Sequence, residues 1–233
     1  MTADNSNKCS IIIPVFNDAI ALSALLDQLQ PARRQGHEVI VVDGGSDDDP
    51  QAVCRDRAEH FTTSLPGRSM QMNAGADVAN GDILWFLHAD SQLNVIGCIH
   101  QILSAIGSGK VWGRFDVRLS GNDWRLRVVE KLMNWRSALT GIATGDQGIF
   151  IRHNIFKRHQ GYADIPLMED IELPRRLKKL SYPARCTSRI TTSSRRWERN
   201  GIIRTILLMW YLRLAFALGV NPVQLKKLYK PCH

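Results

Sequence analysis

The residues of this chain best suited to chemistry sit at the ends of apolar runs. His88-Ala89-Asp90 closes the run Ile83-Leu84-Trp85-Phe86-Leu87, which a Gly81-Asp82 turn opens. An aspartate there can hold a hard divalent cation, because Mg2+ and Mn2+ prefer carboxylate oxygen. His88 can add a ligand if the ion is Mn2+, or hydrogen-bond a phosphate. Period-two alternation places the side chains of His88 and Asp90 on one side. Asp43 closes a second run from Glu38, and Gly44-Gly45-Ser46 follows, where glycine lets backbone approach a ligand closely. Pro14-Val15-Phe16-Asn17-Asp18 ends a third run. Arg68, on the turn Pro66-Gly67-Arg68, is a candidate clamp for phosphate. Each has an ordinary alternative: Asp18 and Asp43 as helix caps, Arg68 as a solvated cation.

The runs themselves read as buried strands. Ser10-Ile11-Ile12-Ile13-Pro14-Val15, Glu38 to Asp43 and Ile83 to Leu87 are near-continuous apolar segments, the pattern of strands covered on both faces of a parallel sheet. Between the first two, Leu22, Leu25, Leu26 and Leu29 recur on one helical face, with Asp18 placed to cap and the helix expected to stop before Pro31. A second helix is expected from about Gln51 to His60. Thr62 to Gly67 reads as a short strand and loop, and Arg68 to Ala79 as a helix leading into the third strand. Strand, helix, strand with short turns is a βαβ unit with a right-handed crossover. Further on, the pattern predicts helices over Val95–Ile106, Trp124–Leu139 and Asp170–Leu180, and strands at Gly148–Ile151 and Arg185–Thr191. Val111–Leu119 alternates as a strand with one polar face. Open α/β sheets bind ligands beyond the carboxyl ends of their strands, so the three acidic strand ends converge on one crevice. There Asp43 can accept from a base N–H or a ribose hydroxyl, Arg68 can meet phosphate and Asp90 can hold a bridging cation. A nucleoside diphosphate needs all three.

The 233 residues are 44% hydrophobic, enough for one large α/β domain or a core domain with a C-terminal appendage, and against wholesale disorder. A formal charge of +8 and a pI near 9.5 favour an anionic partner: nucleotide phosphates, a membrane surface or nucleic acid. Cys9, Cys54, Cys98, Cys186 and Cys232 are scattered, with no C-x-x-C pair. They read as reduced cytosolic thiols rather than a zinc site or a disulfide framework. Met1 to Ser10 has no apolar core of a signal peptide.

Taken in order, Ile12-Ile13-Pro14-Val15-Phe16-Asn17-Asp18, Val41-Val42-Asp43-Gly44-Gly45-Ser46-Asp47-Asp48, Arg68 through Asn73-Ala74-Gly75-Ala76, and Phe86-Leu87-His88-Ala89-Asp90 resemble the family 2 glycosyltransferases of GT-A fold. More narrowly they are similar to the small bacterial branch described as radical-SAM/selenodomain-associated transferases. The resemblance covers roughly residues 10–200. It implies a GT-A-like α/β fold: a mostly parallel nucleotide-binding sheet flanked by helices, with a donor half at about 10–92 and an acceptor half at about 93–200. A helical tail then spans 201–233. It implies transfer of a sugar from a nucleotide sugar to a hydroxyl acceptor, lipid-linked or small, with inversion and with Mn2+ or Mg2+ assisting. Donor-binding roles fall on Pro14, Val15, Phe16, Asp18, Asp43, Gly44, Arg68, Asn73, His88 and Asp90, and the metal on Asp90, with His88 as a second candidate. One departure is plain: His88 stands where the family's Asp-x-Asp motif has its first aspartate, while the final aspartate, the usual direct ligand, is kept as Asp90.

Met168-Glu169-Asp170-Ile171-Glu172-Leu173 matches the family's Glu-Asp motif. The resemblance makes Asp170 the general base and Glu169 its orienting or acceptor-binding neighbour, although acids at a helix N-terminus are also favoured by the dipole alone. Thr144-Gly145-Asp146-Gln147-Gly148 resembles an acceptor loop in which Asp146 and Gln147 read hydroxyls; a solvated turn is the alternative. Ser193 to Arg199 is similar to the Arg-Trp segment of processive relatives, with Arg196 facing the leaving diphosphate and Trp197 stacking on sugar or acceptor, or else is an exposed basic loop.

Two other functions compete. A nucleotidyltransferase would need a glycine-rich first loop, and Pro14 to Asp18 has no glycine. A non-catalytic basic module on membrane or nucleic acid would need a motif for the latter, and none is present, so no nucleic-acid partner is expected. The tail from Ile202 to Val220 is apolar but carries Arg204 and Arg213. Each arginine costs about 2.5–3.5 kcal/mol at a bilayer centre, which disfavours a spanning helix. It is expected either to pack on the domain or to lie on an anionic membrane surface with Trp210 and Tyr211 at headgroup level. The location expected is the cytoplasm, with the inner face of the plasma membrane as the peripheral option.

Overall fold

A computed structural model describes residues 7–229; Cys232 and the outermost residues of the expected divisions fall outside it. The first half alternates strand and helix: β1 (Cys9–Val15), α1 (Ala19–Arg34), β2 (Glu38–Asp43), α2 (Pro50–Cys54), β3 (His60–Thr63), α3 (Arg68–Val78) and β4 (Ile83–Phe86). The second half runs α4 (Val95–Gly107), β5 (Trp112–Leu119), α5 (Trp124–Thr140), a 3-10 turn at Gly145–Gln147, β6 (Phe150–Arg152), α6 (His153–Arg158), α7 (Glu169–Leu177) and β7 (Ala184–Thr192). Three more helices follow, α8 (Arg195–Asn200), α9 (Ile202–Ala217) and α10 (Pro222–Leu228).

The strands form one seven-stranded sheet of order β3-β2-β1-β4-β6-β5-β7. Its β3, β2, β1 and β4 pair in parallel, as do β5 and β7, and β6 runs against both of its neighbours. The expected mostly parallel α/β sheet is what forms. Because the central strands are apolar over Ile11–Val15, Val39–Val42 and Ile83–Phe86, both faces are core. Ile11 and Ile13 of β1 meet Leu22, Leu25 and Leu29 of α1 and Ile99 and Ile102 of α4. Ile12, between them, faces Met72 and Ala76 of α3 with Phe156 and Leu173. Each such fully buried side chain contributes roughly 1.5–3 kcal/mol. On the second face α3 lies hard against β1: a Cβ on Gly75 would stand 2.5 Å from the Ile12 side chain.

Several local expectations are corrected. Helix α1 does not stop before Pro31 but carries it inside, because Leu29 and Ala32, both fully buried, hold the last turn on the core. Asp18 does not cap it. Ala19 N donates instead to Asp48 Oδ2 at 2.7 Å, while Asp18 Oδ2 accepts from Arg195 at 3.1 Å. The helix expected to His60 ends at Cys54: Asp56 takes a left-handed φ of 60°, and His60 to Thr63 pair as an edge strand with β2. The polar face of β5 is buried except at Arg118. Arg114 and Asp116 are buried and pair at 2.5 Å, and Arg185 of β7 adds a second bond to Asp116 at 2.8 Å. Helices α6 and α8 are too short for a periodic signal and were not anticipated, whereas α10 falls within the expected helical tail.

The tail packs on the domain on one side only. Leu212 and Ala215 of α9 and Leu225 of α10 join Met168 and Ile171 of α7, and Ile202 and Ile206 join Leu126, Val129 and Met133 of α5. Opposite these contacts α9 exposes Ile203, Leu207, Trp210, Tyr211, Leu214 and Leu218, and the neighbouring α5 exposes Trp124, Val128, Leu132, Trp135 and Leu139. Both sets follow helical spacing, so each helix has an apolar stripe turned outward. Among the described residues no helix is long and apolar enough to cross a membrane. Cys9, Cys54, Cys98 and Cys186 are free and buried, and burial pushes their thiols up, to about 12 for Cys9 and Cys98 and about 11 for Cys54 and Cys186.

Candidate active site

Parallel pairing of β1, β2 and β4 brings their carboxyl ends side by side. The side chain that ties them is Gln71 of α3, unremarked in the sequence. Its Nε2 donates to Val15 O at 2.7 Å and Val42 O at 2.9 Å, and it fills the space a Cβ on Gly44 would need. Pro14 and Val15 are buried, so they present backbone rather than side chain to the crevice, whereas Phe16 is exposed. Asp43 is engaged by its own turn: Ser46 donates through N at 3.0 Å and Oγ at 2.5 Å. Asn73 faces inward, contrary to the donor role expected for it. Its amide exchanges two 2.9 Å hydrogen bonds with the backbone of Tyr162, clamping α3 to the turn before α7.

His88 and Asp90 do not share a side, as alternation had implied. Strand β4 ends at Phe86, and Ser91 N donates to His88 O at 3.1 Å, so a turn replaces the pleat before either residue is reached. His88 lines a cavity with Arg68, Gly145, Tyr162, Glu169 and Asp170. Asp90 lines a neighbouring cleft with Asp18, Ser91, Thr192 and Arg195. The joint metal role expected for His88 is thereby unsupported, since its Nδ1 stands 3.3 Å from Asp146 Oδ1. Among the described residues no group of three His, Cys, Asp or Glu side chains converges on one ion position. The donor set does fit a divalent ion held through one carboxylate and completed by phosphate oxygens. Asp90 is half-buried and makes no hydrogen bond or ion pair with the described residues.

The cavity gathers the acids. Glu169 and Asp170 open α7, and Met168 before them takes a left-handed φ of 71° while its side chain is buried. Gly145 N donates to Asp170 Oδ2 at 3.0 Å, fixing the carboxylate against the 3-10 turn. A Cβ on Gly145 would stand 2.7 Å from His88 Nε2, so only glycine lets the turn come this close. Glu169 is buried, and burial together with Asp170 raises its carboxyl to about 7. For Asp146, loss of solvent works against ionisation, but His88 and Arg68 outweigh it and hold the carboxyl below the usual range. Arg68 feels Glu169, Asp146 and Asp170 in turn. At the far rim the Arg196 guanidinium lies 3.9 Å over the ring of Tyr229.

Two acceptor-side expectations fail. Gln147 is fully buried, its Nε2 donating to Phe115 O at 3.3 Å, so it shapes the 3-10 turn and cannot reach a ligand. Trp197 packs against the cluster of Leu119, Leu126 and Ile202 instead of standing free for stacking. Gln71 lies inside the Arg68–Ala76 motif, but the sequence gives no sign that it reaches the strand ends.

A model of the glycosyl transferase family 2 matches residues 10–163. The undecaprenyl-phosphate 4-deoxy-4-formamido-L-arabinose transferase of Aeromonas hydrophila is 30% identical over 167 residues, 64% of this chain and 49% of that one. An uncharacterized glycosyltransferase of Mycobacterium tuberculosis is 37% identical over 123 residues, 49% of this chain and 47% of that protein. The chain thus spans about half the length of these curated relatives. Among solved structures, a mannosyltransferase of Pyrobaculum calidifontis in complex with GDP-Man and Mn2+ superposes with a TM-score of 0.61 at 18% identity, over 81% of this chain and 57% of that one. The glucosyl-3-phosphoglycerate synthase of M. tuberculosis with Mn2+, UDP and glucosyl-3-phosphoglycerate gives 0.58 at 18% identity, over 80% and 71%.

Proposed function

The chain belongs to glycosyl transferase family 2, and from that premise we propose that it moves a sugar from a nucleotide-sugar donor to an acceptor hydroxyl with inversion. The observation that carries the mechanism is the placement of Asp170, anchored through Oδ2 to Gly145 N and facing the cavity beside Glu169. Asp170 takes the proton of the acceptor hydroxyl as that oxygen bonds to the anomeric carbon. The bond from that carbon to the diphosphate breaks, and its electron pair leaves on the nucleoside diphosphate. Glu169, raised to about 7, is largely protonated just below neutrality and spares Asp170 a second adjacent negative charge. Donor contacts fall to the backbone of Pro14 and Val15, to Phe16, Asp43 and Gly44, and to Arg68. Arg196 neutralises the departing diphosphate. Asp90 would hold Mn2+ or Mg2+, which when bound offsets charge developing on the leaving group.

Asp170→Asn tests this. Turnover should fall by about 10²–10⁴-fold while donor-induced thermal stabilisation persists. Undiminished turnover would remove Asp170 from the reaction.

The outward stripe of α9 supports a second element of the reading: residues 202–220 seat the enzyme on an anionic membrane surface at the cytoplasmic face, where the acceptor would be lipid-linked. Trp210 and Tyr211 take the interfacial level, beside Arg204 and the Lys226 and Lys227 pair.

A further inference from the structure

Helix α5 has its faces reversed where it crosses β5. A helix at a water-facing surface turns its polar side outward and buries its apolar side. In α5 the side against the sheet is polar. Arg127 donates to Gly121 O at 2.9 Å, Glu130 Oε2 accepts from Leu119 N at 3.1 Å, and Asn134 exchanges bonds of 2.8 and 2.9 Å with the backbone of Val117. Ser137 continues this side and is fully buried. Leu126, Val129 and Met133 run along the flank, where Ile202 and Ile206 of α9 meet them. The outward side carries Trp124, Val128, Leu132, Trp135 and Leu139 at helical spacing, with Trp124 73% and Trp135 64% exposed. Of the chain's six tryptophans, the three exposed ones, Trp124, Trp135 and Trp210, all stand on α5 and α9. An apolar ring with one N–H suits the level between hydrocarbon and headgroups. The charge around this face has one sign. The one acid of α5, Glu130, is buried, and α9 and α10 contain none, while Lys131, Arg204, Lys226 and Lys227 are exposed. A second copy of the same face would set cation against cation, whereas anionic headgroups complement it.

We propose that α5 is a membrane-docking helix whose outward stripe lies at the headgroup level of an anionic bilayer, beside α9. This rests on the membrane reading of the tail and extends it into the acceptor half. It also bears on how the acceptor arrives. Gly141 to Thr144 join the end of α5 to the 3-10 turn whose Gly145 N holds Asp170. From the other side α9 packs on Met168 and Ile171, which flank Glu169 and Asp170. Both docked helices thus brace the base, and the acceptor they serve is an amphiphile that keeps its apolar part in lipid while its hydroxyl reacts.

The test uses the full chain and vesicles of phosphatidylcholine with and without phosphatidylglycerol. Wild type should co-sediment with the mixed vesicles in preference to the neutral ones. Leu132→Glu with Trp135→Glu, on α5 alone, should weaken that partition at least about tenfold and leave the unfolding midpoint unchanged, because both side chains are exposed. A conservative pair, Trp124→Phe with Trp135→Phe, keeps the apolar face and should still bind. Brominated phosphatidylcholine in the vesicles should quench the tryptophan emission of wild type, and this pair should lose part of that quenching. Partition of the glutamate pair equal to that of wild type overturns the docking of α5, as does quenching undiminished in the phenylalanine pair. Either result leaves the reading of α9 standing if charges placed at Trp210 and Leu214 still release the chain. Wild type that ignores both kinds of vesicle overturns the two readings together. Should sedimentation velocity then show a dimer that the glutamate pair dissociates, the face belongs to a second copy instead of a bilayer.

Discussion

At the scale of single residues, the adjacent acids Glu169 and Asp170 divide their work by environment. Glu169 has an ordinary carboxyl value of 4.5 that burial and Asp170 raise to about 7 in the folded chain. The native state therefore binds this proton more tightly than the unfolded state, so its contribution to stability is complete below about pH 4.5 and is lost as pH rises through 7. Glu169→Gln should gain stability over wild type across that window, on the order of 3 kcal/mol above it, from about 1.36 kcal/mol per pKa unit. Chemical denaturation from pH 4 to pH 8 checks this; a difference between the two proteins that does not change with pH would show that Glu169 is not raised. The motif order singled out both acids, and both line the cavity. What it could not show is which one is submerged, because that depends on Met168 turning left-handed and on the packing of α3 and α9 around α7. The same blindness misassigned Gln147 and Asn73. Amides at motif positions look available until the backbone groups that claim them are known.

At the scale of elements, the central strands were legible because burial on both faces keeps Ile11–Val15, Val39–Val42 and Ile83–Phe86 apolar, and β2 runs over the residues anticipated for it. Boundaries set by tertiary contacts were not. Pro31 was expected to end α1, but the burial of Ala32 overrides it. Likewise the end of β4 at Phe86 separates His88 from Asp90, which the pleat would have kept together. The device that aligns the donor-side strand ends is Gln71, reaching from α3 to the carbonyls of Val15 and Val42. Gln71→Ala removes two hydrogen bonds to buried carbonyls, although Val15 O keeps the one from Gly44 N, and should destabilise the chain by about 1–3 kcal/mol, with nucleotide binding weakened in step. Gln71→Glu should behave worse than Ala, because a carboxylate adds a charge facing two carbonyl oxygens. Urea unfolding together with nucleotide titration reads both effects, and an unaltered nucleotide affinity in Gln71→Ala would mean that the strand ends need no such tie.

For the whole molecule, the tail was expected either to pack on the domain or to lie on a membrane. The structure removes the need to choose as far as packing goes: α9 buries Leu212 and Ala215 against α7 and exposes Trp210 and Leu214 on its opposite side. The adjacent stripe on α5, from Trp124 to Leu139, enlarges that surface. Replacing Trp210 and Leu214 together by glutamate should abolish co-sedimentation with anionic vesicles while leaving the unfolding midpoint and the nucleotide response intact, since neither side chain touches the core. Vesicle binding that survives both charges would exclude α9 as the contact.

The buried cysteines have a practical consequence for following such attachment. Alkylating reagents attack the thiolate, and thiols held at about 11 to 12 expose on the order of one part in 10⁴ or less as thiolate at pH 7. Once Cys232 is replaced by serine, a cysteine introduced at Leu214 becomes the preferred target for a maleimide dye on the otherwise native chain, and an emission shift on vesicle addition would report the depth at which α9 rests.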